Sequence, residues 1–97
     1  DFIYIDDVIF ITKTSPSFKR SGIYNVGTGE SRTFMDVARI VCEHLPDTQI
    51  KQIDFPRHLI GNYQEYTCSD NTKIQSVMDP YQYTTLEEGI KKVFDDE

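Results

Sequence analysis

SGIYNVGTG, residues 21–29, is the stretch on which the fold turns. Ile23, Tyr24 and Val26 are strand formers, bounded by Gly22 and by Gly27-Thr28-Gly29. GIYNV therefore reads as a short buried strand that runs into a glycine turn. Toward the N-terminus, DFIYI (1–5) alternates and is rich in β-formers, which makes it a second strand. Toward the C-terminus, TQIKQIDF (48–55) alternates as well and reads as a third.

Helical patterns separate these runs. In DDVIFITKTS (6–15), Asp6 or Asp7 is placed to cap a helix on which Val8, Ile11 and Thr12 share a face, and Pro16 ends it. TFMDVARIVCEHLP (33–46) pairs Thr33 with Asp36 as a capping box. Its stripe is Phe34, Val37, Ala38, Val41 and Leu45, and Pro46 follows. SDNTKIQSVMD (69–79) reads as a short helix capped by Ser69 or Asp70, with Ile74, Val77 and Met78 on one side. TLEEGIKKVFDD (85–96) has Thr85 and Glu88 as a capping box and Leu86, Ile90, Val93 and Phe94 as its stripe. The expectation is an α/β fold of short strands and about four helices, forming one domain over 1–97.

The bulk numbers narrow the function classes. A chain of 97 residues is one small domain with a thin core. Its formal charge is −6, and the ten Lys and Arg are scattered. Nucleic acid is therefore not expected as a partner, because phosphate binding needs a concentrated basic face. Two cysteines, Cys42 and Cys68, are too few for a disulfide scaffold and match no zinc spacing with His44 or His58. They read as reduced thiols of a cytoplasmic protein. No apolar run is long enough for a bilayer, so no membrane association is expected. The chain opens on Asp-Phe without an initiator methionine, which reads as a fragment or an excised domain.

Three motifs carry possible chemistry. A strand ending in Gly27-x-Gly29 before a helix has the shape of a phosphate-binding turn. The full dinucleotide fingerprint is absent, because Arg32 stands where a third glycine belongs. The plainer reading is that the two glycines supply positive φ in a tight turn. Asp1, Asp6 and Asp7 could pair as catalytic carboxylates or gather a metal, or simply cap and solvate a helix start. In LIGNYQEYTCSD (59–70), Tyr63 offers a flat apolar face with a hydroxyl at its tip. That combination suits stacking on a sugar or purine, or a core position with a satisfied hydroxyl.

Taken in order, DFIYIDDV, SGIYNVGTGES, the capped helix and SDNTKIQSVM…TTLEEGIKKVF resemble the C-terminal part of the extended short-chain dehydrogenase/reductases. These are NAD(P)-dependent nucleotide-sugar epimerases and dehydratases. The resemblance covers essentially the whole chain. FPRHLIGNYQEYTCSD (55–70) is similar to one branch in particular, the ADP-L-glycero-D-manno-heptose 6-epimerases, at Phe55, Pro56, Leu59, Gly61, Tyr63, Gln64, Thr67 and Asp70. Asn62 stands where the branch is often basic, and Cys68-Ser69 where Gln-Ala or Cys-Ala is common.

The resemblance implies the substrate-binding portion of an isomerase of lipopolysaccharide biosynthesis, lying beyond a Rossmann core that this chain lacks. It implies epimerisation at carbon 6 through a transient ketone, with NADP or NAD held by the N-terminal Rossmann domain and not by these residues. No Y-x-x-x-K pair occurs here, so no catalytic residue is expected in this chain, and alone it would be inactive. An arginine preceding DFIYI helps hold the diphosphate in such enzymes. Tyr63 matches the family's substrate-contacting tyrosine. The partners implied are a nucleotide sugar, the chain's own Rossmann domain and further copies of the full-length enzyme. A UDP- or GDP-sugar epimerase, dehydratase or reductase of the same superfamily is the nearest alternative, and a small non-catalytic binding module the more distant one.

Overall fold

The computed structural model describes residues 1–54, 56–61 and 66–95. Four helices lie within or beside the runs read as helical, the third much shorter than read. They are α1 (Ile5–Thr14), α2 (Phe34–His44), α3 (Thr72–Gln75) and α4 (Leu86–Asp95). Two single 3₁₀ turns, Ser15–Ser17 and Arg57–Leu59, join them. Pro16 sits in the first of these turns and ends α1.

The α/β architecture is corrected. Among the described residues there is no strand and no sheet, so the fold is essentially all-helical. The three β-prone runs stay extended or irregular because none finds a neighbour to share a hydrogen-bond ladder. Strand preference reports how well a side chain fits a pleated, half-buried surface, and that surface is missing here. DFIYI loses its last residue to α1, which starts at Ile5. In GIYNV, Ile23 is 89% exposed. Its carbonyl accepts from the Lys73 ammonium at 2.6 Å, and the Tyr24 hydroxyl donates to the Arg20 carbonyl. Residues 48–54 are exposed throughout; Phe55, the last residue of the third run, lies outside the described residues.

The core is correspondingly small. Among the described residues Ile11, Ile40, Ile74 and Val77 are the buried aliphatic ones, and Asp7 and Asn71 the buried polar ones. The radius of gyration is 16.4 Å, where a compact chain of this length measures about 12–13 Å. Helices α2 and α4 pack on each other. His44 stacks on Phe94 at 5.1 Å between ring centres. Arg32, just before α2, holds both oxygens of Glu87 in the first turn of α4. The buried seam of α2 runs through Ile40, whereas Phe34, from the stripe read in sequence, is 62% exposed.

The capping box of α2 forms as expected. The Thr33 hydroxyl accepts from the Asp36 amide at 3.0 Å, and the Asp36 carboxylate accepts from the Thr33 amide at 3.0 Å. These bonds hold the Asp36 carboxyl below its ordinary value. At α4 the Thr85 hydroxyl accepts from the Glu88 amide at 3.1 Å. Among the described residues no helix is long and apolar enough to cross a membrane.

Candidate functional site

The three motifs singled out in the sequence meet at Asp1. Its carboxylate Oδ1 accepts from the Thr28 amide at 3.0 Å and from the Thr28 hydroxyl at 2.8 Å. Oδ2 accepts from the Gly29 amide at 3.0 Å and the Ser69 amide at 2.9 Å. The Asp1 nitrogen donates to the Thr67 carbonyl at 2.8 Å. One residue of DFIYIDDV thus joins the Gly27–Gly29 turn to the end of the LIGNYQEYTCSD stretch.

This geometry decides what the glycine turn does. Two of its amides face a carboxylate from the same chain, so the turn is an anion nest that is already filled. A dinucleotide pyrophosphate does not fit the turn in that state. Gly29 has a positive φ of 79°. Gly27 is needed for a different reason, close approach. A Cβ there would lie 2.5 Å from the Ser69 Cβ and 2.9 Å from Asp1 Oδ2.

A second set of bonds reinforces the junction. Asn71 donates from Nδ2 to the Gly27 carbonyl at 3.0 Å, and its Oδ1 accepts the Ser69 hydroxyl at 2.6 Å. Cys68 Sγ lies 3.4 Å from the Gly29 carbonyl. Asp70 is turned away from the junction. It accepts from the Thr72 amide at 3.0 Å, and its bonds to Thr72 hold its carboxyl below the ordinary value. Beside the junction is an open cleft of about 350 Å³, bordered by Asp1, Ile3, Asn25, Val26, Thr67 and Cys68.

The other carboxylates of DFIYIDDV have separate fates. Asp6 is exposed. Asp7 is buried, and it is no helix cap: Tyr4 is the N-cap residue of α1, without a side-chain capping bond. Asp7 instead accepts from the Tyr81 hydroxyl at 2.6 Å, the Thr84 amide at 2.8 Å and the Thr84 hydroxyl at 3.0 Å. Asp1 and Asp7 therefore each anchor a remote loop, and neither is paired with another carboxylate for acid–base work. Among the described residues no group of three or more His, Cys, Asp and Glu is gathered to hold a metal.

Tyr63, the substrate-contacting candidate, lies outside the described residues, as do its neighbours Asn62, Gln64 and Glu65. The flanks of that stretch are described. Ile60 is exposed on one side and Tyr66 on the other, and from Thr67 onward the chain is bonded to Asp1. No family model matches the chain.

Sequence reasoning missed what two residues of the junction do. The sequence offers Asp1 as a capping and solvated carboxylate, or as part of a catalytic or metal cluster, and not as a tie between segments. Asn71, not Ser69 or Asp70, is the N-cap residue of α3, and its side chain is spent on the junction and makes no capping bond. Its signal was available: an Asn beside a glycine turn's partner segment is a side chain with both a donor and an acceptor to place.

Proposed function

We propose that this chain is the substrate-binding portion of an NAD(P)-dependent nucleotide-sugar epimerase, most like the ADP-L-glycero-D-manno-heptose 6-epimerases. The observation that carries the reading is the convergence at Asp1. DFIYIDDV, NVGTGES and TCSD, on which the family resemblance rests, are bonded into one junction at the mouth of an open cleft. Motifs kept for unrelated structural reasons have no need to meet at one carboxylate.

In this reading LIGNYQEYTCSD borders the nucleotide-sugar pocket, and Tyr63 contacts the substrate. The nicotinamide cofactor, held by a part of the enzyme outside these residues, supplies hydride removal and return at the sugar carbon. This chain's task is to hold and orient the substrate, which lowers the entropic cost of reaction. Ile23, at 89% exposed, and Ile53, at 78%, are apolar surface suited to being covered by the cofactor-binding part. The enzyme is proposed to act in the cytoplasm and as a homo-oligomer.

Two experiments test the reading. The coding sequence upstream of Asp1 should supply a glycine-rich cofactor turn and a Y-x-x-x-K pair; a reading frame without them sinks the epimerase assignment. In the protein that contains both parts, Tyr63→Ala should raise KM for ADP-glycero-manno-heptose by about tenfold and leave NADP affinity alone. An unchanged KM removes Tyr63 from the site.

A further inference from the structure

The Asp1 carboxylate is saturated. A carboxylate offers about four lone-pair sites, and Asp1 fills them with the Thr28 amide, the Thr28 hydroxyl, the Gly29 amide and the Ser69 amide. Such a group has no lone-pair site left for a further partner. It is well suited to fixing the relative position of the segments that supply the donors. Those segments lie 27 to 68 residues away in the chain.

We propose that Asp1 is a positioning residue, a carboxylate clasp that locks residues 67–69 onto the Gly27–Gly29 turn and so sets where the C-terminal end of the proposed substrate-facing stretch meets the body of the fold. Three further features make the lock specific. Gly27 lets Ser69 approach more closely than any side chain would allow. Asn71 closes a ring by bonding both Gly27 and Ser69. The junction also demands an anion. Two of the donors facing Oδ2 are backbone N–H groups, so an amide of identical shape, which exchanges one acceptor oxygen for a donor, faces donor with donor. The functional arm of this inference rests on the nucleotide-sugar reading above, whereas the clasp itself does not.

The test is Asp1→Asn in the protein that carries this chain with its cofactor-binding part. Amide hydrogen exchange reads the clasp, and steady-state kinetics with ADP-glycero-manno-heptose read the site. The expected result is exchange at Gly29 and Ser69 faster by about tenfold, with the amides of α2 and α4 unchanged. KM should rise about tenfold while kcat stays within about twofold, and NADP affinity should not move. Unchanged exchange at Ser69 overturns the clasp. Faster exchange with an unchanged KM overturns its positioning role. If Asp1→Asn also loosens α2 and α4, Thr28→Val, which removes one of the four donors to Asp1 together with the local hydroxyl bonds to Glu30, serves as the milder variant. A smaller KM rise in Thr28→Val sustains the proposal, and none overturns it. If the unsubstituted protein neither binds nor turns over any nucleotide sugar, the epimerase reading falls, the positioning role falls with it, and exchange alone decides the clasp.

Discussion

Asp7, in the first turn of α1, accepts the hydroxyl of Tyr81 at 2.6 Å across 74 residues of sequence. The carboxylate is 2% exposed, and Thr84 supplies its remaining bonds. Phe10, one turn further along α1, stacks on the Tyr81 ring at 4.7 Å. A buried charge is tolerable only when its partners are complete. Tyr81→Phe keeps the stacking and deletes one charge-assisted bond. It should destabilise the protein by about 1.5–3 kcal/mol, read as a lower urea midpoint at unchanged m.

Tyr83 should respond in the opposite direction. Its hydroxyl is buried without a hydrogen-bond partner among the described residues. Its ring packs edge-on against Tyr81 at 5.1 Å, a contact that Phe preserves. Tyr83→Phe removes an unpaired polar atom and should leave stability unchanged or raise it by about 1 kcal/mol. A clear loss of stability in urea titration would show that the hydroxyl has a partner in solution.

The same pair makes an alkaline prediction. The bond to Asp7 and burial push Tyr81 up from 10.0 to about 12, and burial raises Tyr83 as well. A raised folded value means that the fold favours the neutral phenol. The associated stability is therefore complete below pH 10 and is lost as pH climbs from 10 to about 12, where the unfolded chain ionises first. Unfolding free energy followed across that window should fall less steeply in Tyr81→Phe than in the unsubstituted protein.

Two glycines should part company when changed to alanine. At Gly27 the added methyl would sit 2.5 Å from the Ser69 Cβ, closer than packing permits, and backbone must move. Gly27→Ala should cost about 1–3 kcal/mol. At Gly89, inside α4, the nearest atom to the new Cβ is Tyr4 Cδ1 at 3.4 Å, an ordinary contact. Helix preference then dominates, and Gly89→Ala should gain up to about 1 kcal/mol. Thermal melts of the two variants compare them directly.

The helices were legible because their signals are local. Thr33 and Asp36 are three residues apart and satisfy each other whatever surrounds them. Pro16 ends α1 by its own ring geometry. The strands misled because strand formation is a property of pairs. Ile23, Tyr24 and Val26 have the right side chains, but among the described residues no ladder partner stands beside them. The site was legible in part. The sequence singled out the glycine turn, the acidic motif and the tyrosine stretch separately. What joins them is one carboxylate acting over as many as 68 residues, and neither spacing nor periodicity encodes such a contact. The buried fate of Asp7 was hidden for the same reason, since Tyr81 and Thr84 are remote in sequence.

The sparse core also sets how this chain meets heat and cold. The heat capacity gained on unfolding comes chiefly from apolar surface newly wetted. Ile11, Ile40, Ile74 and Val77 are the fully buried aliphatic residues, and Ile5, Ile23, Phe34 and Ile53 are already in water, so less such surface is left to expose than in a compact chain of this length. A typical chain of this length gains about 1.2–1.5 kcal/mol/K; this one should gain less. Its stability curve would then be shallow, and calorimetry would record a broad, low-enthalpy transition in place of a sharp peak.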